Sequence, residues 1–139
     1  KPFCGYNMGD YFQHWLDMGD RLGNKAPRIF YVNWFRKSPE GMFLWPGFSD
    51  NSRVLKWMCE RMDGKVGAQK TPIGLLPIEG DLDITGIEIS TENMKELMKI
   101  DLKDWGAEVP DIEKHFAEFG DRLPGRLNRQ LQELKKRLG

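Results

Sequence analysis

Apolar residues near the start of the chain recur at intervals of three and four. Between residues 8 and 22 these positions are Met8, Tyr11, Phe12, Trp15, Leu16 and Met18. This spacing puts them on one face of a helix, and Gly23 follows at a position where helices commonly end. The pattern therefore predicts an amphipathic helix over residues 8–22.

Beyond the helix breaker Pro27, the pattern changes to that of a strand. Residues 29–32 read Ile-Phe-Tyr-Val, a continuous apolar run that predicts a strand covered on both faces. Its candidate partners are residues 43–45 and residues 72–77, whose prolines suit an edge strand. Residues 65–88 alternate glycine, proline and short apolar runs, which predicts irregular strands or a hairpin.

A second helix is predicted after the Trp-Pro-Gly-Phe turn at residues 45–48. Asp50, Asn51 and Ser52 are all suitable N-cap residues, and Gly64 is suited to end the helix after residue 63. The predicted inner face consists of Val54, Leu55, Met58 and Met62. The N-terminus of this helix is expected to point at the preceding aromatic loop.

The final third of the chain has a helical pattern. Ser90 and Asp101 are expected to cap two helices, and Pro110 is expected to start or kink a helix in the second stretch. A third helix is marked by a stripe of leucines at positions 127, 131, 134 and 138. These helices are expected to serve as packing elements.

Together the elements predict a mixed α/β fold, an α+β fragment of short strands and several helices. We expect residues 1–139 to form one unit, since a single core usually suits about 100 to 200 residues. Within it, residues 1–64 supply a helix, a strand, an aromatic loop and a second helix. Residues 65–89 supply irregular strands, and residues 90–139 supply the C-terminal helices.

Charge and cysteine usage exclude several classes of partner. Lys and Arg number 21, as do Asp and Glu, so no net field attracts nucleic acid or an anionic membrane. No stretch approaches the roughly 18 apolar residues of a membrane helix. Cys4 and Cys59 lack C-x-x-C spacing, and His14 and His115 lie far apart, so no metal site is expected. Reduced cysteines in a cytoplasmic protein are the simplest interpretation.

The aromatic residues of the loop between strand and helix offer the clearest functional hypothesis. They are Trp34, Phe35, Phe43, Trp45 and Phe48. Two rings on opposite faces can hold a purine, because a base stacks on an aromatic side chain with about 1 to 3 kcal/mol. Asn51 both donates and accepts hydrogen bonds, so it is the candidate reader of the base edge. From spacing alone the alternative stays open that the rings close a small hydrophobic cluster and Asn51 only caps a helix.

Several blocks of the sequence resemble the GTP-dependent phosphoenolpyruvate carboxykinases. They are PFCGYNMGDYFQHWL at residues 2–16, VNWFRK at 32–37, FLWPGFSDNSRVL at 43–55 and TPIG at 71–74. The resemblance extends over nearly the whole chain, as the last quarter of such an enzyme, and it is weaker after Thr71. It implies a portion of the C-terminal nucleotide-binding domain.

The resemblance also implies an activity. Such enzymes are lyases of gluconeogenesis that convert oxaloacetate and GTP to phosphoenolpyruvate, GDP and CO2. Mn2+ and Mg2+ act in the full enzyme, which is expected to be a cytoplasmic monomer. The sequence contains no G-x-x-x-x-G-K-[ST] phosphate loop, and the metal ligands are expected before residue 1. No catalytic or metal-binding residue is therefore assigned within the segment, which is expected to be inactive alone.

By the same resemblance, five residues are assigned to guanine binding. Phe35 and Phe48 are expected to sandwich the base, Phe43 to line its edge and Asn51 to meet its hydrogen-bonding groups, with Trp34 adjacent. Arg36, outside this set, could reach ribose or phosphate or form a surface ion pair.

The expected partners are GTP or GDP and the remainder of the carboxykinase chain. The alternative is a guanine-nucleotide-binding module that stands alone and performs no catalysis. Coding sequence upstream for a phosphate loop and metal ligands would favour the enzyme.

Overall fold

A computed structural model of the chain describes residues 3–139, which form five α-helices and one two-stranded sheet. The helices are α1 (Met8–Leu22), α2 (Asn51–Met62), α3 (Thr91–Met98), α4 (Leu102–Ala117) and α5 (Gly125–Leu138), and the strands are β1 (Gln69–Thr71) and β2 (Gly74–Leu76). The structure is therefore mixed α/β, as predicted. Its internal contacts group into two compact units, Arg28–Ile100 and the remaining two segments together.

Helices α1, α4 and α5 belong to the unit made of the two terminal segments. Helix α1 has the predicted bounds; the Asn7 side chain accepts a hydrogen bond from the Gly9 amide at its start, and Gly23 ends it with φ 53°. Phe12 packs edge-on against the buried Phe119, with ring centroids 5.3 Å apart. This aromatic contact joins α1 to the segment that follows α4.

Gly9 marks a close approach between α1 and the chain before α5. A Cβ at this position would overlap the backbone carbonyl of Arg122, so only glycine fits without a shift. Nearby, the Arg122 side chain pairs with Asp10. Arg126 of α5 also donates to both carboxylate oxygens of Asp20 at 2.9 Å. Two ion pairs therefore accompany the close contact.

The C-terminal helices agree with the sequence pattern. Ser90 caps α3, and the Asp101 carboxylate accepts from the amides of Lys103 and Asp104 at the start of α4. Pro110 lies inside α4. On α5 the leucine stripe faces inward, with Leu131 only 5% exposed.

In the unit Arg28–Ile100, the predicted hairpin is present and the predicted strand over residues 29–32 is not. Strands β1 and β2 pair antiparallel, with Lys70 opposite Leu75. Residues 29–32 belong to no strand, and Ile29 and Tyr31 are 80% and 91% exposed. Within the described residues no second segment pairs with this run, and an apolar run needs such pairing to form a strand. The prediction of a strand covered on both faces was therefore wrong.

Residues 43–45 likewise do not form a strand. Phe43 makes a single antiparallel bridge to Lys37, and the named sheet contains β1 and β2 alone among the described residues. Residues 72 and 73 form the turn between these strands. The pairing that was expected with residues 29–32 is thus replaced by a local hairpin.

Helix α2 buries a residue that the pattern did not select. Trp57 is 5% exposed and packs edge-on against Phe30 at 6.2 Å, whereas Leu55 and Met62 are 52% and 59% exposed. The predicted inner face was wrong for these two residues, because the helix is rotated to bury the indole. Within residues 3–139, no helix is long and apolar enough to cross a membrane.

Candidate functional site

A short hairpin turn carries part of the aromatic loop. The amide of Leu44 donates to the Arg36 carbonyl at 3.0 Å, and the amide of Ser38 donates to the Met42 carbonyl at 2.8 Å. Lys37 and Phe43 lie opposite each other between these bonds, the arrangement in which cross-strand side chains approach most closely. The Lys37 ammonium accordingly lies 4.9 Å from the Phe43 ring centroid, a cation–π contact.

Arg36 connects this hairpin to the C-terminal end of α3. Its guanidinium donates to the Leu97 carbonyl at 3.0 Å and to the Lys99 carbonyl at 3.3 Å, and it lies 3.5 Å from the Glu96 carboxylate. Carbonyls at a helix C-terminus lack partners within the helix, so this arginine satisfies them. The structure thus engages Arg36 with protein groups, as in the ion-pair alternative raised by the sequence.

The backbone before α2 has an unusual conformation at Phe48. Gly47 has φ 79°, and Phe48, with φ 52°, is the one non-glycine residue with positive φ in the part of the chain that the structure describes. Positive φ is disfavoured for a bulky side chain, and such strain often occurs at functional sites. The Phe48 side chain is also fully exposed. An aromatic residue is therefore held in a strained backbone without burial.

The first turn of α2 is fixed by contacts to both sides. The N-cap position is Asp50, as the sequence allowed, but its carboxylate pairs with Arg53 at 3.0 Å and makes no capping bond. Arg53 also donates to the Asp83 carbonyl at 2.8 Å. The pKa of Asp83 is lowered, chiefly because its carboxylate accepts from the Thr85 amide and also because it pairs with Lys56. The turn that presents Asn51 is thus tied to residues 83–85.

Within residues 3–139, the Asn51 side chain has one defined hydrogen-bond partner. The indole Nε1 of Trp45 donates to Asn51 Oδ1 at 3.1 Å, and Trp45 is only 6% exposed. A buried indole N–H needs an acceptor, and this amide oxygen provides it.

All five residues predicted to bind guanine line one open cavity of about 540 Å3. Among residues 3–139, its lining consists of Trp34, Phe35, Phe43, Trp45, Pro46, Gly47, Phe48 and Asn51. No site role was predicted for Trp45, Pro46 or Gly47 from the sequence. For Trp45 a signal existed, since a tryptophan close to Asn51 in the chain can supply a donor to that amide.

The cavity suits the flat, uncharged part of a ligand. Its walls are mainly aromatic, and none of its lining residues carries a charge. Phe35 and Phe43 form a tilted pair with centroids 6.3 Å apart, whereas the Phe48 ring contacts no other ring within residues 3–139. An apolar pocket with few polar groups is typical of a small-molecule site. In the same range, no group of three or more His, Cys, Asp or Glu is placed to hold a metal ion.

The helices and the two-stranded sheet define a mixed α/β class, and comparison with known proteins gives the family. A family model for the phosphoenolpyruvate carboxykinase C-terminal P-loop domain matches residues 1–137. Because the match extends over nearly all of its residues, the chain belongs to this family.

Similar proteins come from distant organisms. The chain is 49% identical over 139 residues to the GTP phosphoenolpyruvate carboxykinase of Treponema pallidum, and 49% identical to that of Neocallimastix frontalis. It is 46% identical to the corresponding protein of Thermoplasma volcanium. These alignments use 99% to 100% of the chain but only 22% to 23% of each relative. The chain thus spans less than a quarter of the length of these relatives.

Proposed function

We propose that the aromatic cavity binds the guanine ring of GTP and GDP. In this proposal Phe35 and Phe48 lie on the two faces of the base, Phe43 lines its edge, and Asn51 meets its hydrogen-bonding groups. Trp34 contributes to the neighbouring wall. The main support for the proposal is the conformation of Phe48, whose ring is fully exposed and whose backbone φ is 52°.

Energetic reasoning supports a ligand against this ring. An exposed aromatic side chain leaves apolar surface in water, which is unfavourable by about 25 cal/mol per Å2. The left-handed backbone adds about 1 to 3 kcal/mol of strain. Stacking a base recovers about 1 to 3 kcal/mol, a gain that a merely structural surface residue would lack. Phe35, 73% exposed, offers a second apolar face on the same cavity.

The relatives are named phosphoenolpyruvate carboxykinase [GTP], and we propose the same activity for the complete protein that contains this segment. It would be a lyase that converts oxaloacetate and GTP to phosphoenolpyruvate, GDP and CO2 in gluconeogenesis. We propose a cytoplasmic monomer that uses Mn2+ and Mg2+, with metal ligands outside the segment. Residues 1–139 would be the C-terminal portion of the nucleotide-binding domain.

Substitution of Phe48 tests guanine binding in the full-length carboxykinase. Phe48→Ala removes one stacking face, so the KM for GTP should rise about 5- to 150-fold, equivalent to about 1 to 3 kcal/mol. The KM for oxaloacetate should change much less. Phe3→Ala is a matched control, because Phe3 is also fully exposed but lines no part of this cavity. Equal GTP KM values for Phe48→Ala and Phe3→Ala would refute the assignment.

The isolated 139-residue segment should catalyse neither decarboxylation nor phosphoryl transfer. Phosphoryl transfer depends on positioning and on metal electrostatics, for which we assign no residue in this sequence. The measurement is phosphoenolpyruvate formation by the purified segment with oxaloacetate, GTP and Mn2+. Mn2+-dependent product above the level of a protein-free control would overturn the expectation.

A further inference from the structure

The contact between Trp45 and Asn51 bears on which purine the cavity accepts. Indole Nε1 carries a hydrogen and cannot accept, so the Asn51 atom 3.1 Å away must be the amide oxygen. An indole N–H that is buried to this degree strongly disfavours the flipped amide, which would bring two donors together. The hydrogen bond from the Trp45 indole therefore fixes the orientation of the Asn51 amide.

With its oxygen held by the indole, Asn51 has its amino group left for a ligand. Within the described part of the chain, Nδ2 makes no hydrogen bond, while Asn51 lines the cavity. An amide nitrogen only donates. The group that Asn51 has left to offer to a base is therefore a donor.

We propose that Trp45 is a positioning residue that sets base preference by holding Asn51 as a donor. A donor matches the carbonyl oxygen at position 6 of guanine and opposes the amino group that adenine has there. Trp45 would thus act through Asn51, without touching the base edge itself. The inference rests on the proposed guanine site and deepens it.

Trp45→Phe tests the role of the indole N–H in the full-length enzyme. The phenyl ring keeps the buried apolar contact but removes the donor, so the Asn51 amide becomes free to turn its oxygen toward an adenine amino group. The ratio of kcat/KM for GTP over ATP should fall by about five- to tenfold, mainly because ATP improves. Competition dissociation constants for GDP and ADP should shift in the same direction. A general loss of packing would instead weaken both nucleotides together.

Trp57→Phe provides the matched control. Trp57 is as buried as Trp45, but among the residues that the structure describes its indole nitrogen has no hydrogen-bond partner, and it lines no part of the cavity. Its substitution should leave the GTP to ATP ratio unchanged. A second control places Trp45→Phe in an Asn51→Ala background, where the indole has no amide to orient. In that background, Trp45→Phe should leave the GTP to ATP ratio unchanged.

If Trp45→Phe does not fold, a second variant, Asn51→Asp, provides the test. Asn51→Asp keeps an acceptor for the indole and presents a second acceptor to the base. The GTP to ATP ratio should fall, and repulsion between the added charge and the phosphates cancels in this ratio, since the two nucleotides carry identical phosphates.

The outcomes separate this inference from the guanine site itself. An unchanged ratio in Trp45→Phe, or an equal fall in Trp57→Phe, overturns the role of Trp45. The role of Trp45 is also overturned if Trp45→Phe changes the ratio as strongly in the Asn51→Ala background as in the wild type. If only Asn51→Asp folds, an unchanged GTP to ATP ratio in that variant overturns the role. If one of these results is found but Phe48→Ala raises the KM for GTP, the guanine site stands. If Phe48→Ala leaves the KM for GTP unchanged, both proposals fail.

Discussion

The rings of Phe35 and Phe43 lie 6.3 Å apart, although both side chains are more than half exposed. Their positions are set by the hairpin hydrogen bonds at Arg36 and Ser38 and not by burial in a core. A wall that is ordered before a ligand arrives loses less entropy on binding. This arrangement favours a recognition surface over a collapsed hydrophobic cluster.

Asn51→Ala should reduce the preference for GTP over ATP more than it changes the KM for oxaloacetate. The substitution removes the amide that we propose reads the base edge, and it also leaves the Trp45 N–H without its acceptor. The measurement is kcat/KM for each nucleotide in the full-length enzyme. Ser52→Ala, at the neighbouring exposed position, should retain the wild-type preference. A preserved preference in Asn51→Ala would show that the base edge is read by other groups.

Arg36→Ala should loosen the hairpin and the end of α3. The guanidinium satisfies two carbonyls of that terminus, and each lost hydrogen bond is worth about 1 kcal/mol. Hydrogen exchange should become faster in residues 36–44 and in Thr91–Met98. Arg28→Ala, at an exposed position, serves as the control. Unchanged exchange in both segments would show that the arginine does not hold them together.

Two glycines of α1 should respond oppositely to alanine. Gly9→Ala places a Cβ against the Arg122 carbonyl, so it should destabilise the protein by about 1 to 3 kcal/mol. Gly19→Ala meets open space within the helix and should stabilise it by about 1 kcal/mol. Thermal unfolding of the two variants distinguishes the effects. Equal shifts in the same direction would contradict the close contact.

The Asp83 carboxylate should titrate below its ordinary range. Its pKa is lowered mainly by the Thr85 amide, so Lys56→Ala should restore only part of the shift. Because the folded pKa is depressed, the associated stability is present above the unfolded pKa and is lost as pH falls through the folded pKa. The measurement is an NMR titration of the Asp83 side chain. An ordinary pKa would mean that the turn over residues 83–85 is not formed in solution.

Local signals predicted much of this structure. Helix α1 was predictable because its apolar spacing and its terminal Gly23 agree, and the structure adds the Asn7 cap. The capped starts of α3 and α4 were predictable for the same reason. Residues 29–32 were mispredicted because strand formation depends on a pairing partner that local composition does not specify. The burial of Trp57 depends on Phe30, a contact distant in the chain.

The residues of the candidate site were predictable from the sequence, but their hydrogen bonds and backbone conformation were not. All five assigned residues line the cavity, since they lie within one loop and the helix start that follows. The hydrogen bond from Trp45 and the positive φ of Phe48 depend on how that loop folds back. Spacing carried no information about the positive φ of Phe48, and for the hydrogen bond it indicated only that Trp45 lies close to Asn51 in the chain.

A crystal structure of the full-length protein with GDP is the most direct test of guanine binding in the aromatic cavity. We predict that the guanine ring lies between Phe35 and Phe48, with its six-position oxygen accepting a hydrogen bond from the amino group of Asn51. Two stacked faces at about 3.5 Å each would place the flanking rings roughly 7 Å apart. A base bound elsewhere, with Phe48 packed onto other protein side chains, would contradict guanine binding in this cavity.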